Sequence, residues 1–211
     1  MLVALIDTRH EYDDLASLYL PIAIAVAVII FGLFFFAVIR YRRRDDQLPR
    51  QRSGWPLLEI VYALILAGVV AVLLSATFKT NDEETNVSSH PGLRMDVTAF
   101  QWGWRFHYPG GVTIVGDDRH PPTLVVPIDT PIHFTLQSHD VIHAFWIPEL
   151  RFKRDAFPGR PSTFDLVFDD SSAVGRCAEF CGLAHDDMKF GVIGMSPPRF
   201  RDWLRTQKAG A

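Results

Sequence analysis

Residues 18–39 read LYLPIAIAVAVIIFGLFFFAVI, a run without a single charged side chain. At about 1.5 Å of rise per helical residue such a run spans roughly 30 Å, the thickness of the hydrocarbon core of a bilayer. It predicts a transmembrane helix, and it divides the 211-residue chain into a membrane part and a remainder. Residues 57–78, LLEIVYALILAGVVAVLLSATF, are as long and apolar except for one carboxylate, Glu59, and predict a second span. The alternative for either run, a helix buried in a large soluble core, is usually shorter. Between them, residues 40–56 carry Arg40, Arg42, Arg43, Arg44, Arg50 and Arg52. A short loop so rich in arginine is expected on the cytoplasmic side. Residues 1–17 are acidic next to the span, so this tail and everything after residue 79 are expected outside the cytoplasm. The first span is too long for the apolar region of a signal peptide and lacks a basic flank before it, which argues against a cleaved leader.

Residues 79–90, polar and without apolar periodicity, read as a linker, and residues 91–211 as a folded domain. Short β-like runs recur there between turn signals: RMDVTAFQWGWRFHY, VTIVG, TLVVP, PIHFTLQ, VIHAFWIP, STFDLVF and FGVIG. So many short strands predict a Greek-key sandwich or barrel. Alternation within the first run puts Phe100, Trp102, Trp104, Phe106 and Tyr108 on one face and Gln101, Gly103, Arg105 and His107 on the other. A core face explains most of these rings; five in succession also predict one at the rim. PPRFRDWLRTQ, with proline at its start, predicts a terminal helix. The 21 Lys and Arg against 24 Asp and Glu leave no basic surplus for phosphates, so no nucleic-acid partner is expected.

Chemistry concentrates in residues 177–188, CAEFCGLAHDDM, which hold both cysteines of the chain with a histidine and a methionine. A Cys177–Cys181 disulfide is possible in an oxidising compartment, but it leaves His185 and Met188 without a role. Structural zinc has no use for a thioether, whereas copper accepts soft sulfur together with imidazole. A blue-copper site needs a single cysteine. Two thiolates can instead bridge two copper ions, each of which then wants one histidine and one weak ligand. His143, in SHDVIHAFWIP, is the best second histidine, because alternation with Val141 and Phe145 turns all three inward. His139 reads as solvated beside Asp140, His133 as outward, and His10, His90, His107 and His120 lie in polar or loop contexts. Sharing one unpaired electron across a bridged pair spreads the change of charge. Such a site passes electrons and leaves no open position for a substrate.

These motifs make the chain resemble subunit II of haem-copper cytochrome c oxidases over nearly its whole length. CAEFCGLAHDDM fits the family pattern C-x-E-x-C-x-x-x-H-x-x-M, and SHDVIHAFWIP fits the segment of the distal histidine. The resemblance implies a two-helix transmembrane hairpin followed by an all-β cupredoxin-like Greek-key domain with a binuclear copper A centre. It implies Cys177 and Cys181 as bridging thiolates, His143 and His185 as terminal imidazoles, and Met188 and the Glu179 carbonyl as weak ligands. The Glu179 side chain would bind magnesium at the contact with subunit I. QWGWRF resembles the aromatic stretch in which Trp102 receives the electron from cytochrome c, although many relatives have an aromatic where this chain has Gly103. RDAFPGRP resembles the loop against subunit I, with Asp155 and Arg160 at the matching positions.

Glu59 by itself reads equally as an interfacial carboxylate in reach of water or as a functional one. The resemblance makes it the entrance of a proton-uptake path into subunit I. The implied partners are subunits I and III, membrane lipid, and cytochrome c or a cytochrome c domain of another subunit. The haems and copper B would sit in subunit I, where oxygen is reduced to water with proton translocation. The implied location is a bacterial cytoplasmic membrane. Quinol-oxidase relatives lack the copper ligands found here, and nitrous oxide reductase shares the copper motif on a soluble enzyme with a further domain. A tethered module with a disulfide and no metal is the reading from a different class. No C-x-x-C-H occurs, so the c-type haem is expected on a separate protein.

Overall fold

The computed structural model describes residues 8–42, 54–85, 91–169 and 172–209. Arg43, Arg44, Arg50 and Arg52 of the expected cytoplasmic loop, and His90, lie outside the described residues. Helix α1 covers Thr8–Arg40 and α2 covers Pro56–Thr85. Within them, Tyr12–Arg40 and Pro56–Asn81, 29 and 26 residues, are apolar and long enough to cross a bilayer. Their large side chains, among them Leu20, Phe34, Leu64 and Leu74, are exposed in the chain by itself. Helices apolar on all sides are built for surroundings of lipid or other helices. The Tyr19 hydroxyl donates to the Leu73 carbonyl at 3.0 Å and pairs with Thr77 Oγ1 at 2.5 Å, joining the two helices by a polar contact. Helix α2 runs on over residues 79–85, which the sequence assigns to a linker. No proline or glycine occurs between Gly68 and Pro91 to stop it.

The extramembrane unit is a sandwich of two five-stranded sheets, in the orders β3-β2-β1-β5-β8 and β4-β10-β9-β6-β7. The first contains β1 (Leu93–Phe100), β2 (Gly103–His107), β3 (Thr113–Asp117), β5 (Ile132–Ser138) and β8 (Ser162–Leu166). The second contains β4 (Thr123–Pro127), β6 (His143–Ile147), β7 (Phe152–Ala156), β9 (Ser172–Cys177) and β10 (Lys189–Met195). Pairs β1–β5 and β4–β10 are parallel and the others antiparallel. Both sheets turn aromatic faces inward. Phe145 stacks on Phe190 at 4.9 Å and Phe134 on Phe164 at 5.3 Å, with Trp104 edge-on to Phe145 and Phe190. Helix α3 (Pro197–Ala209) closes one end, burying Phe200 and setting Trp203 5.2 Å from the Tyr108 ring.

Three features of the sandwich also depart from the sequence reading. The long run at 94–108 is a hairpin, β1 and β2 paired with Phe100 opposite Gly103 and turning at Gln101 and Trp102. Trp104, Phe106 and Tyr108 enter the core, while Phe100 and Trp102 are only partly buried. Gly103 makes this turn-back possible, since a Cβ there would lie 2.2 Å from the Gly116 carbonyl oxygen. Strands β7 and β9 were not expected. Phe152 and Ala156 are the buried residues of β7 and the rest is charged, while in β9 Gly175 is buried because the Phe190 ring occupies the place of a side chain. Val141 is exposed beside buried His143, because β6 begins only at the histidine and alternation does not reach back.

Candidate metal centre

Three adjacent strands of the second sheet converge at one end of the sandwich. His143 opens β6 and Cys177 closes β9, and these strands pair with Phe145 opposite Cys177. Met188 directly precedes β10, and its carbonyl accepts the Cys177 N–H at 2.9 Å. The 178–187 loop is thus pinned at both ends. Within it Gly182, at φ +116°, reverses the chain so that Cys181 and His185 turn back toward Cys177. The Ala178 N–H bonds the Ala144 carbonyl at 3.2 Å, fastening the loop to β6.

The side chains meet in a small buried space. Cys177 Sγ lies 3.8 Å from Cys181 Sγ, 3.8 Å from His143 Nδ1 and 3.2 Å from the Glu179 carbonyl oxygen. Cys181 Sγ lies 3.5 Å from His185 Nδ1 and 3.8 Å from Met188 Sδ. Both cysteines are free; a disulfide would bring the sulfurs to about 2.05 Å. His143, Cys177 and Cys181, all buried, offer ligand atoms within 4.8 Å of one another. Two thiols flanked by one imidazole each, with a thioether and a carbonyl at the edge, form a donor set that fits a copper centre. All six positions expected from sequence are brought together here.

Hydrogen bonds fix this arrangement from behind. His143 Nε2 donates to Asp140 Oδ1 at 2.8 Å, which leaves Nδ1 free for a metal, as an oriented ligand histidine requires. The same carboxylate accepts the N–H groups of Val141 and Gln101, each at 2.7 Å. Burial opposes its charge, but these bonds hold the Asp140 carboxyl below the usual range. His143 is raised despite burial, through its bonds to Cys177 and Asp140. Cys177 is drawn down to about 6, burial being outweighed by the His143 bond and by backbone bonds at Ala144 and Glu179. Burial and then the neighbouring Cys177 push Cys181 up to about 12.

Trp102 stands next to this centre. Its indole N–H donates to the Cys181 carbonyl at 3.1 Å, and the Gln101 side-chain amide donates to the same oxygen at 2.7 Å. The sequence reading missed Asp140 and Gln101 as supports of the ligands; Asp140, three residues before an inward histidine, was the available signal. On the loop's other side, Lys153 Nζ lies 3.7 Å from the Glu179 carboxylate and 3.6 Å from Asp155. Asp155, Arg160 and Lys153 border a cleft of about 420 Å³. His139 and His120 are exposed, and His107 bonds Thr113 at 2.7 Å, all away from the ligand set. His133 faces away from the core as alternation predicts, but is mostly covered and bonds the buried Asp165 at 2.7 Å. Glu59, in the first turn of α2, is exposed in the membrane unit.

Comparison with known proteins agrees with this geometry. The sequence model of the family described as cytochrome C oxidase subunit II, periplasmic domain, matches residues 117–194. A probable cytochrome c oxidase subunit 2 from Nocardia farcinica is 31% identical, over 89% of this chain and 68% of the relative. Cytochrome c oxidase subunit 2 of Corynebacterium glutamicum is 28% identical over 85% and 67%. Among solved structures, the periplasmic domain of cytochrome oxidase subunit II from Bradyrhizobium japonicum superposes with a TM-score of 0.52 at 27% identity, covering 57% of this chain and 96% of that domain. With two apolar helices as its membrane anchor and a cupredoxin-like domain carrying a copper-type ligand set, the chain belongs to the cytochrome c oxidase subunit II family.

Proposed function

We propose that this chain accepts electrons from a c-type cytochrome and delivers them to the haems of a partner subunit I, where oxygen is reduced to water with proton translocation. The observation that carries the reading is the unbonded sulfur pair at 3.8 Å, flanked by His143, His185 and Met188. A disulfide-bonded module would leave those three side chains without purpose. When bound, a thiolate-bridged copper pair supplies one-electron transfer with little rearrangement of its surroundings. Cys177 and Cys181 would bridge it, His143 and His185 would cap it, and Met188 and the Glu179 carbonyl would bind weakly.

The chain's other residues set the conditions for this transfer. Asp140 holds His143 in one orientation and tautomer, so the ligand does not reorient as charge changes. Phe145, Phe190 and Trp104 exclude water behind the sulfurs. Trp102, bonded to the Cys181 carbonyl, offers a polarisable ring between the ligand loop and solvent, and we assign it the electron-uptake role. The Glu179 carboxylate, 45% exposed and paired with Lys153, is available to a magnesium ion at the subunit I side together with the Asp155 and Arg160 cleft. In the membrane unit, the arginine-rich loop on the cytoplasmic side of a bacterial membrane would put Glu59 at the mouth of a proton-uptake path.

The test is purification of the chain from its native membrane. It should co-purify with a haem-bearing subunit I and consume oxygen with reduced cytochrome c, and Cys181→Ser should abolish that turnover while the subunits stay together. Full turnover in Cys181→Ser would overturn the reading.

A further inference from the structure

Between β5 and β6 the chain bends at residues 139–141, and this bend delivers Asp140 to the His143 ring. Ser138, the buried last residue of β5, stands at its entry. The serine backbone is fixed from two sides: it pairs in parallel register with Ala99 of β1, and its N–H donates to the Phe157 carbonyl at 3.2 Å. The next N–H, of His139, donates to the Ala99 carbonyl at 2.9 Å. Ser138 is therefore a firm point from which the bend departs.

From that point the hydroxyl reaches across the bend. It accepts the Asp140 N–H at 3.2 Å and donates its own proton to the Val141 carbonyl. A serine that bonds the backbone two and three residues ahead closes a turn by itself, and here it does so from the buried side, where water competes least. The Asp140 Oδ1 atom is 3.4 Å from the same hydroxyl, but the single proton is taken by the nearer carbonyl. With the Asp140 N–H held by Ser138, and its carboxylate held by the Val141 and Gln101 N–H groups, little freedom is left in the direction it offers to His143 Nε2. The hydroxyl reaches His143 only through Asp140.

We propose that Ser138 is a positioning residue of the metal centre: its hydroxyl fixes the Asp140 carboxylate, which sets the direction from which His143 Nδ1 approaches the copper. This rests on the copper reading of the site. The competing role for Ser138 is closure of the bend alone, with no effect on the metal.

The experiment uses the full chain in detergent, with and without copper. In Ser138→Ala, copper affinity measured against a competing chelator is expected to fall roughly 2- to 10-fold, the worth of one neutral hydrogen bond. Electron–nuclear double resonance should show a changed coupling at one coordinated imidazole nitrogen and an unchanged coupling at the other, because His185 stands on the separate 178–187 loop. In an Asp140→Ala background the serine substitution should cost nothing further, since its route to the metal is already cut. Unchanged affinity and couplings in folded Ser138→Ala would overturn the proposal, and so would losses that simply multiply in the double variant. A metal-free Ser138→Ala chain whose circular dichroism is no longer native would make the serine a folding residue and overturn it as well. If the wild-type chain takes up no copper, the copper reading itself fails and the proposal with it; if the wild type binds copper and only the serine variant is indifferent, the copper reading stands.

Discussion

Asp140 joins the ligand set to its surroundings, since one carboxylate bonds His143, Val141 and the Gln101–Trp102 turn. Its replacement by alanine frees the His143 ring and the turn at once. Copper affinity, measured by competition with a chelator, should fall by about 10- to 100-fold, and Asp140→Asn, which can still accept one bond, should fall less. Trp102→Phe keeps an aromatic ring but loses the indole bond to the Cys181 carbonyl. Rapid mixing with reduced cytochrome c should show slow copper reduction in copper-replete protein. Trp104→Phe is the contrast: Trp104 is fully buried against Phe145 and Phe190, so its loss should lower the melting temperature and leave uptake fast once copper is bound. At this scale the cluster was legible because soft sulfur and imidazole at close spacing have few other uses. Asp140 was not, because an aspartate at a strand's start is ordinarily a solvated turn residue, and only the fold shows which side chain it meets.

At the scale of elements, the β1–β2 hairpin decides where Trp102 stands. Its tight return depends on Gly103, which has the Gly116 carbonyl against it where a side chain would stand. Gly103→Ala should destabilise the extramembrane domain by about 1–3 kcal/mol in chemical denaturation, the usual cost of forcing atoms into filled space. It should also slow electron uptake, because the turn that holds the indole shifts. An unchanged denaturation midpoint would show that the hairpin has slack. Period-two alternation located most strands, yet it ran straight through this turn, since aromatic residues continue the pattern on both sides and no proline marks the break. The same signal missed β7, whose middle is charged, and β9, whose inward position at Gly175 has no side chain because Phe190 fills it. Strand β9 ends at Cys177, so a strand invisible to hydrophobic pattern places a central sulfur of the cluster.

For the whole molecule, the two units answer to different solvents. The helices expose apolar side chains on all sides, whereas the sandwich hides most of its aromatics between its two sheets. This division was plain from charge-free length alone. The extent of α2 was not, because polar residues continue a helix when nothing breaks it. Glu59 tests the membrane unit: Glu59→Gln in the assembled oxidase should slow the proton-coupled steps and leave copper reduction by cytochrome c fast, while wild-type turnover with an unchanged pH profile would make it a solvated interfacial residue. The central claim concerns the other unit, that two bridging sulfurs organise a shared copper pair. Its most direct measurement is electron paramagnetic resonance of the copper-loaded full chain in detergent, with metal content determined on the same sample. The account predicts two copper ions per chain and a hyperfine pattern of one electron shared equally by both nuclei; one copper per chain, or a spectrum of a single localised ion, would contradict it.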